Sequence, residues 1–283
     1  MVVLRTFLPS AALSHFVSRY HVVSGQQPDE VEHVDIALYD RAAFRIVQHG
    51  VWAAESDGPH QWAELPAMAF AGCTSGRVRI RVKGSFHLIA AVIRPSGWQA
   101  LFDRPASDFS DHIVPFREVW GPGVDRLQDA VSQLSDDRDI IRAFEDEAYR
   151  QLKRIGTWRI SAAMGEFERI ARADCTRQVK DVAAQLHLSP RQFERLSLNC
   201  FGLSPKLVLR ISRFLNMASA MAGFGDQHEE ELAELRFFDQ SHRNREFRQF
   251  IGMTPQQFLQ TPLPLFRASL KARNLRKSTM SHV

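Results

Sequence analysis

The feature that most constrains the fold is a segment that recurs after 50 residues. SPRQFERL begins at Ser189, and the related DQSHRNREF begins at Asp239. Each copy leads into a similar turn, FGLSP over 201–205 and IGMTP over 251–255. A repeated sequence unit predicts two copies of one supersecondary structure. The apolar periodic stretch that starts at Pro205 predicts a long helix between them.

The first copy has the pattern of two short helices joined by a tight turn. Val182, Ala183 and Leu186 recur at helical spacing before the turn. Ser189 is a favourable N-cap for the second helix, and Gln192, three residues later, can complete a capping box. The sequence therefore predicts a helix-turn-helix unit.

The second helix of this unit should present a charged outer face. Phe193 and Leu196 are predicted to face inward, so Arg191, Glu194 and Arg195 project outward. In a helix-turn-helix, such side chains enter the major groove, where Arg pairs with guanine and Glu accepts a hydrogen bond from cytosine. Arg191 and Arg195 are predicted base contacts, and Glu194 either contacts a base or pairs with a neighbouring Arg.

The second copy predicts an equivalent outer face. Its candidate contacts to double-stranded DNA are Gln240, Ser241, Asn244 and Arg245, with Arg248 as a phosphate contact or a structural ion pair. The same two alternatives hold for Arg210 and Arg213 in the connecting helix. Phe247 and Phe250 are predicted core residues.

These motifs resemble the DNA-binding domain of the AraC/XylS family of bacterial transcription regulators. SPRQFERL, FGLSPK, RISRF, DQSH, REFRQF and GMTPQQFL stand in the family's order over about residues 160–259. The resemblance implies a seven-helix domain with two helix-turn-helix units that read successive major-groove segments. The second unit departs from the family pattern at Arg236, at Arg243 and near the acidic run 229–231. These departures leave two alternatives, in which the second unit is misshapen or serves mainly as a phosphate clamp, while the first unit carries most of the base reading.

The N-terminal region has a different hydrophobicity pattern. Up to about Ile93 it consists of short runs that are apolar or that alternate between apolar and polar residues. RVRIRV over 77–82 alternates strictly, which predicts a strand with Val and Ile on one face and Arg on the other. An amphipathic helix is predicted over Leu8 to Tyr20. The segment Arg94 to Gly121 resembles the end of an AraC-type sensor domain, which implies a small-molecule effector. The candidate wall residues, each of which could equally be core, are Trp52, Trp62, Phe70, Phe86, Trp98 and Trp120.

Charge separates the two halves of the chain. Residues 1–155 carry 17 Lys and Arg against 20 Asp and Glu, a net charge of −3, whereas residues 156–283 carry 19 against 12, a net charge of +7. A basic C-terminal half suits DNA binding, because Lys and Arg release condensed counterions from the phosphates. The sequence has no apolar run long enough for a membrane span, so we expect a cytoplasmic protein without a membrane partner.

No pattern in the sequence points to catalysis, so we expect a protein that is not an enzyme. The three cysteines are far apart, without a Cys-X-X-Cys pair. Cys73 has no neighbouring base in sequence and is expected to be an inert thiol. The N-terminal histidines lack metal-ligand spacing, so we predict no metal and no cofactor. These histidines are His33, His49, His60, His87 and His112.

We therefore predict an α+β domain, mostly β with flanking helices, followed by an all-α double helix-turn-helix domain. The first covers residues 1–123 and senses a small molecule or mediates oligomerisation. A helical pair over 124–157 links the domains, either forming a homodimer contact or packing on the β domain. The DNA-binding domain covers 158–262, and 263–283 form a basic, disordered tail.

The predicted function is sequence-specific regulation of transcription, with RNA polymerase as an expected partner. Two alternatives remain open at this point. One is an AraC-like protein with a degraded second helix-turn-helix that acts through protein partners. The other is a cupin-like metal-binding domain fused to a DNA-binding domain.

Overall fold

The computed structural model of the chain describes residues 2–55, 61–156, 158–224 and 240–280, with side chains described up to residue 274. The strands are β1 (Val2–Phe7), β2 (Val17–Gly25), β3 (Glu32–Ala37), β4 (Ala43–Glu55), β5 (Trp62–Glu64), β6 (Met68–Ala71), β7 (Val78–Ile93) and β8 (Ile113–Pro115). The described helices are α1 (Trp98–Leu101), α2 (Phe116–Trp120), α3 (Gly123–Ser132), α4 (Asp137–Ile155), α5 (Ala162–Ala173), α6 (Val179–Gln185), α7 (Pro190–Phe201), α8 (Pro205–Met221), α9 (Gln240–Ile251), α10 (Pro255–Gln260) and α11 (Pro264–Met280). Each of them is too short or too polar to span a bilayer.

One antiparallel sheet holds all eight strands, in the order β1-β2-β7-β4-β6-β8. The long strand β7 pairs with β3 along its first part and with β2 along its second part, and β5 pairs with β4. Gly84, at φ +72°, lies between these two parts and lets the strand bend. The predicted alternation is confirmed, since Ile80 and Val82 are buried while Arg79 and Arg81 are partly exposed on the other face.

The predicted helix over Leu8 to Tyr20 is wrong. A 3₁₀ turn covers only Ala11–Leu13, and strand β2 begins at Val17. Leu13, Phe16, Val17 and Tyr20 are buried as expected, but VSRYHVV is rich in β-branched and aromatic side chains and pairs with β7. Sheet pairing therefore outweighs the helical spacing.

An aromatic cluster centred on Phe44 fills the space between the sheet and helices α1, α2 and α4. The Phe44 ring lies 4.0 Å from Phe116, 4.9 Å from Phe70 and 5.5 Å from Phe144, measured between ring centroids. Trp98 and Trp120 are also fully buried here. Phe70, Trp98 and Trp120 are therefore core residues rather than walls of a cavity.

Helices α3 and α4 form where the helical pair was predicted. Their apolar faces, including Leu127, Val131 and Phe144, are buried in the core of the same chain. Of the two alternatives for these faces, packing on the β domain is the one observed. A homodimer contact would have to use other, exposed surfaces of α3 and α4.

Two ion pairs join the sheet domain to the helices. Arg41 lies 2.7 Å from Glu168 of α5, and both side chains are at most 6% exposed. Asp40 pairs with Arg273 of α11, whose guanidinium is also buried. Because Arg41, Glu168 and Arg273 would be costly buried charges without their partners, these pairs favour one relative placement of the two domains.

The expectation of a disordered C-terminal tail over 263–283 is wrong over most of that range, because α11 extends to Met280. Phe266 and Leu270, one helical turn apart, are each 1% exposed and pack against the sheet domain and α8. The third turn of this face carries Arg273, which is buried through its pair with Asp40. Because the charged Arg273 interrupts the apolar face of α11, the hydrophobicity pattern of the sequence does not indicate a helix here.

The sheet domain caps the N-terminus of α11. The Asp35 carboxylate, 1% exposed, accepts hydrogen bonds from the backbone N–H of Leu265 at 2.7 Å and of Phe266 at 3.3 Å. The first N–H groups of a helix have no partner within the helix, so a carboxylate there replaces an N-cap side chain. An acid on β3 therefore completes a helix that starts 229 residues later.

Asp35→Ala should destabilise the protein by about 2 to 4 kcal/mol, because two buried amide donors lose their acceptor. Chemical unfolding measures this change. Glu32→Ala, on the same strand but exposed, is the matched control and should change the free energy of unfolding by less than about 0.5 kcal/mol. Equal effects of the two substitutions would contradict the capping role.

The pH dependence of stability offers a second test of Asp35. Burial raises the pKa of this carboxyl above its ordinary value, against the opposing hydrogen bonds from Ile36 and Leu265. The folded chain therefore holds the proton more tightly than the unfolded chain. This contribution to stability is present at acid pH and is lost as pH rises through the raised pKa. Relative to Asp35→Asn, the wild type should lose stability between about pH 4 and neutrality.

Candidate nucleic-acid interface

Helix α7 begins with the predicted capping box. The Ser189 Oγ accepts from the Gln192 backbone N–H at 3.3 Å, and the Gln192 side chain accepts from the Ser189 N–H at 2.9 Å. Pro190 occupies the first helical position, where no N–H is needed. These contacts fix both the start of the helix and its rotation.

The rotation of α7 is also fixed by its buried face. Phe193 is fully buried, with its ring 4.7 Å from that of Phe167. Leu196, predicted as core, is only partly buried. The opposite side of the first two turns carries Arg191, Glu194 and Arg195, all exposed.

The three exposed residues of α7 form no ion pair or hydrogen bond with the described residues through their side chains. Glu194 therefore does not pair with a neighbouring Arg in this structure, which was one of its two predicted roles. The two guanidiniums can donate hydrogen bonds to guanine in the major groove, and the Glu194 carboxylate can accept one from cytosine.

The turn before α7 depends on a residue in a left-handed conformation. His187 has φ +54°, and the following Leu188 N–H donates to the Ala183 carbonyl at 3.0 Å. Val182 and Ala183 are buried where α6 crosses α7. The small side chain of Ala183 permits this close crossing, as the sequence pattern predicts.

Helix α9 presents the second set of candidate residues. Gln240, Ser241, Arg245 and Arg248 are exposed, and Asn244 is partly exposed. The inner side of the helix is the predicted core, because Phe247 and Phe250 are each 0% exposed and lie 5.1 Å from Phe214 of α8, measured between ring centroids. The segment that precedes α9, which includes Glu229 to Glu231 and Arg236, lies outside the described residues.

Arg210 has a structural role. It donates to Glu246, which is 2% exposed, at 2.8 Å from Nε and 2.6 Å from Nη2. Its guanidinium also lies 5.1 Å from the centroid of the Phe250 ring. Of its two predicted roles, the ion pair is the one observed. The sequence analysis missed Glu246 as its partner, although an acid between Arg245 and Phe247 on an inward position was a possible signal.

A cavity of about 180 Å³ lies between the sheet and α11. Most of its wall is apolar, with Trp52 as the one predicted wall residue that lines it. Leu265 and Leu270 of α11 form part of the wall, so the cavity is bounded by both domains. Trp62 and Phe86 lie elsewhere, Trp62 beneath Arg79 and Arg81 and Phe86 against Trp52.

Arg45 is the most unusual side chain of the cavity. It is 4% exposed, its Nη1 has no hydrogen-bond partner among the described residues, and its guanidinium stacks 4.9 Å from the centroid of the Trp52 ring. The sequence analysis did not single it out, although a charge inside the apolar run AAFRIV was a signal for it. A buried cation without an anion is costly, which favours a site for a negatively charged group.

Positive charge is in excess around the inner end of the cavity. Arg41 and Arg273 line it, and Arg172 follows in the adjoining domain interface, against the acids Asp40 and Glu168. Burial, together with Arg41 and Arg273, lowers the pKa of Arg172 to about 8. Asp40 and Glu168 therefore do not fully compensate the positive charge of the three arginines.

The described residues contain no group of three or more His, Cys, Asp or Glu side chains arranged to hold a metal ion. Cys73, Cys175 and Cys200 are buried free thiols. Burial raises the pKa of Cys73 and Cys200 above the ordinary thiol value, which keeps both in the unreactive protonated form at neutral pH.

Two families of domains match the sequence. Residues 182–261 match a family described as a helix-turn-helix domain, and residues 5–115 match a domain of unknown function, DUF6597. No curated protein matches the chain. The chain thus combines a mostly β N-terminal domain with a C-terminal helix-turn-helix domain.

Several solved structures are similar to this chain at low sequence identity. An apo variant of ToxT from Vibrio cholerae is 13% identical, with a TM-score of 0.47 over 85% of this chain and 96% of that chain. ToxT from the same organism bound to an unsaturated fatty acid is 10% identical, with a TM-score of 0.44 over 83% and 97%. The AraC-like transcriptional activator CuxR is 12% identical, with a TM-score of 0.29 over 75% and 85%.

Over residues 182–261 the C-terminal domain matches the AraC-type helix-turn-helix domain that its motifs predict.

The capping box should control the stability of α7. Ser189→Ala removes the acceptor for the Gln192 N–H and is expected to cost about 1 kcal/mol. Ser189→Asp should retain most of the stability, since Asp is an equally good N-cap. Thermal unfolding of the three proteins measures this order, and an unchanged Tm in Ser189→Ala would contradict the capping role.

Proposed function

We propose that this chain is a sequence-specific transcriptional regulator that binds double-stranded DNA with both helix-turn-helix units. It acts in the cytoplasm as a homodimer, responds to a small molecule bound in the N-terminal domain, and affects transcription through RNA polymerase. The AraC-type family of its C-terminal domain supports this class of function.

The observation that carries the proposal is the exposed end of α7. Arg191, Glu194 and Arg195 lie on one outward surface, on a helix whose start and rotation are fixed by its cap and by Phe193. A helix whose start and rotation are already fixed loses little backbone freedom on binding. The net charge of +7 over residues 156–283 supplies the general attraction to phosphates.

The second unit is proposed to contribute base and phosphate contacts from α9. Gln240, Ser241 and Asn244 lie toward its N-terminal end, where base contacts are expected, and Arg245 lies one turn after Ser241. Arg248 is proposed to contact a phosphate, because it is exposed near the end of the helix.

Arg191→Ala/Arg195→Ala should lose about 2 to 6 kcal/mol of affinity for the specific site, at about 1 to 3 kcal/mol for each base-reading Arg. Binding to fragments of the protein's own upstream region across a salt series measures this. Arg138→Ala/Arg142→Ala on α4 removes the same charge far from α7 and should leave the affinity unchanged.

The affinity of the variant for unrelated DNA shows whether these two arginines contact bases or phosphates. Affinity for an unrelated fragment should change little in the Arg191→Ala/Arg195→Ala variant. An equal loss on both fragments would make the two residues phosphate contacts. Weak, sequence-blind binding by the wild type, with and without added effector candidates, would favour action through protein partners instead.

For the effector, we propose an apolar molecule that carries one negative charge. The wall of the cavity is mostly apolar, which suits a hydrocarbon or aromatic body. Arg45, buried and lacking a partner at Nη1, is placed to pair with a carboxylate or similar anion. A molecule in this cavity would contact the sheet and α11 together.

Decanoate and its methyl ester are suitable probes of this cavity, because they share one hydrocarbon chain and only decanoate is charged. Arg45→Met keeps an unbranched apolar side chain but removes the guanidinium. The variant should bind decanoate about tenfold or more weakly and bind the ester as the wild type does. Quenching of tryptophan fluorescence reports occupancy beside Trp52. Acid and ester binding equally well to both proteins would contradict the proposed anion site.

A further inference from the structure

The two helix-turn-helix units end their reading helices in the same way. Gly202 after α7 has φ +84°, and Gly252 after α9 has φ +74°. Each donates its backbone N–H to carbonyls in the last turn of its helix. These equivalent glycines, 50 residues apart, form the C-terminal caps of the two reading helices.

The first cap contacts the sheet domain. Ser110 Oγ donates a hydrogen bond to the Gly202 carbonyl at 2.7 Å. A Cβ at Gly202 would lie 2.3 Å from Ser110 Oγ and 2.9 Å from the Ala106 carbonyl oxygen. Glycine is therefore required here by the positive φ and also by the closeness of the N-terminal domain.

The second cap also contacts the sheet domain, through a different residue. The Arg77 guanidinium lies directly over Gly252, where an added Cβ would be 1.7 Å from Nη1. The C-terminal end of a helix carries partial negative charge on its free carbonyls, which favours a cation at this place. The sequence analysis placed Arg77 only on the polar face of a strand.

Ser110 and Arg77 belong to two loop segments that are bonded to each other. We call residues 72–77 and 106–112 together the docking edge. The Gly72 N–H donates to the His112 carbonyl at 3.0 Å, and the Asp111 N–H donates to the Cys73 carbonyl at 2.9 Å. The Asp111 carboxylate accepts from the Ser75 N–H at 2.6 Å. Asp111 itself has φ +63°, a conformation that Asp and Asn tolerate better than most residues.

The docking edge is rigidly attached to the sheet. A Cβ at Gly72 would lie 1.8 Å from the Phe109 carbonyl oxygen, so the two segments are in direct backbone contact. Strands β6 and β8, which pair at Ala71 and Ile113, continue from the two segments. One preformed surface of the N-terminal domain therefore meets the caps of both reading helices.

We infer that the docking edge sets the distance and angle between α7 and α9, and so determines the spacing of DNA half-sites that the protein accepts. Ser110, Arg77 and Asp111 are then positioning residues that act on DNA through the helix caps without contacting it. This inference rests on the proposed DNA-binding function, and its structural part can be measured without DNA.

The structural part is tested with spin labels on the two units. Leu198→Cys on α7 and Gln256→Cys on α10 place labels at exposed positions, while the native cysteines are buried. Electron spin resonance should give a narrow distance distribution in the otherwise unchanged chain. Ser110→Ala/Arg77→Ala should broaden or shift it, and an unchanged distribution would overturn the inference.

Asp111 provides a matched pair of variants for the same measurement. Asp111→Asn keeps a side-chain acceptor for the Ser75 N–H and tolerates the positive φ, so the distance distribution should stay narrow. Asp111→Ala loses both features and should broaden it. Equal behaviour of the two variants, either both narrow or both broad, would contradict the positioning role of this carboxylate.

The DNA part uses a site selected by the wild-type protein from a random pool. Inserting about five base pairs between the half-sites moves one of them to the opposite face of the duplex. Relative to the selected site, the wild type should bind the site with the insertion about tenfold or more weakly. Ser110→Ala/Arg77→Ala should lose only about threefold or less in affinity on the same insertion. The two proteins should bind a single half-site with equal affinity.

The possible failures of this experiment are distinguishable. If the insertion lowers the affinity of the wild type and of the variant by the same factor, the inference about the docking edge is overturned, while the proposed DNA-binding function still holds. A pool that yields no common sequence would overturn the proposed function, and the spin-label distances would still decide whether the docking edge positions the two units.

Discussion

The arrangement of the molecule depends on the buried charge pairs between its two domains. Arg41 with Glu168 and Asp40 with Arg273 lie where the sheet, α5 and α11 meet. Such pairs add little net stability, because desolvation offsets their attraction, but separating the fully buried Arg41–Glu168 pair leaves isolated buried charges at a cost of about 3 to 5 kcal/mol. They therefore select one placement of the helices against the sheet. In that placement α11 closes the cavity and the docking edge reaches both helix caps.

In this placement, helices α11 and α8 lie between the cavity and the reading helices α7 and α9. Helix α11 forms part of the cavity wall and contacts α8 through Arg273 and Asn216. Helix α8 in turn contacts the inner faces of α7 and α9. A ligand changes DNA binding only if it binds two arrangements of these helices with different affinity. The wall formed by α11 is where an occupant of the cavity would produce that difference.

The sequence predicts the parts of this molecule that rest on local chemistry. The capping box at Ser189, the inward Phe193 and the alternation of RVRIRV follow from side chains a few residues apart. The parts that it does not predict rest on contacts between distant segments. Helix α11 needs Asp35 as its cap, 229 residues earlier, and strand β2 replaces a predicted helix because β7 pairs with it. The candidate site shows the same division. Arg191, Glu194 and Arg195 are predicted from local sequence. The buried Arg45, whose Nη1 has no hydrogen-bond partner among the described residues, and the contact of Arg77 with Gly252 are visible only in the fold.

The central claim is that α7 and α9 together read two successive major-groove segments on one face of DNA. Methylation interference at guanine N7, on a bound upstream fragment, tests it most directly, because this atom lies in the major groove. The account predicts two clusters of interfering guanines, about one helical turn apart. A single cluster would leave only one unit reading bases, and a lack of interference throughout the bound fragment would contradict major-groove reading by either helix.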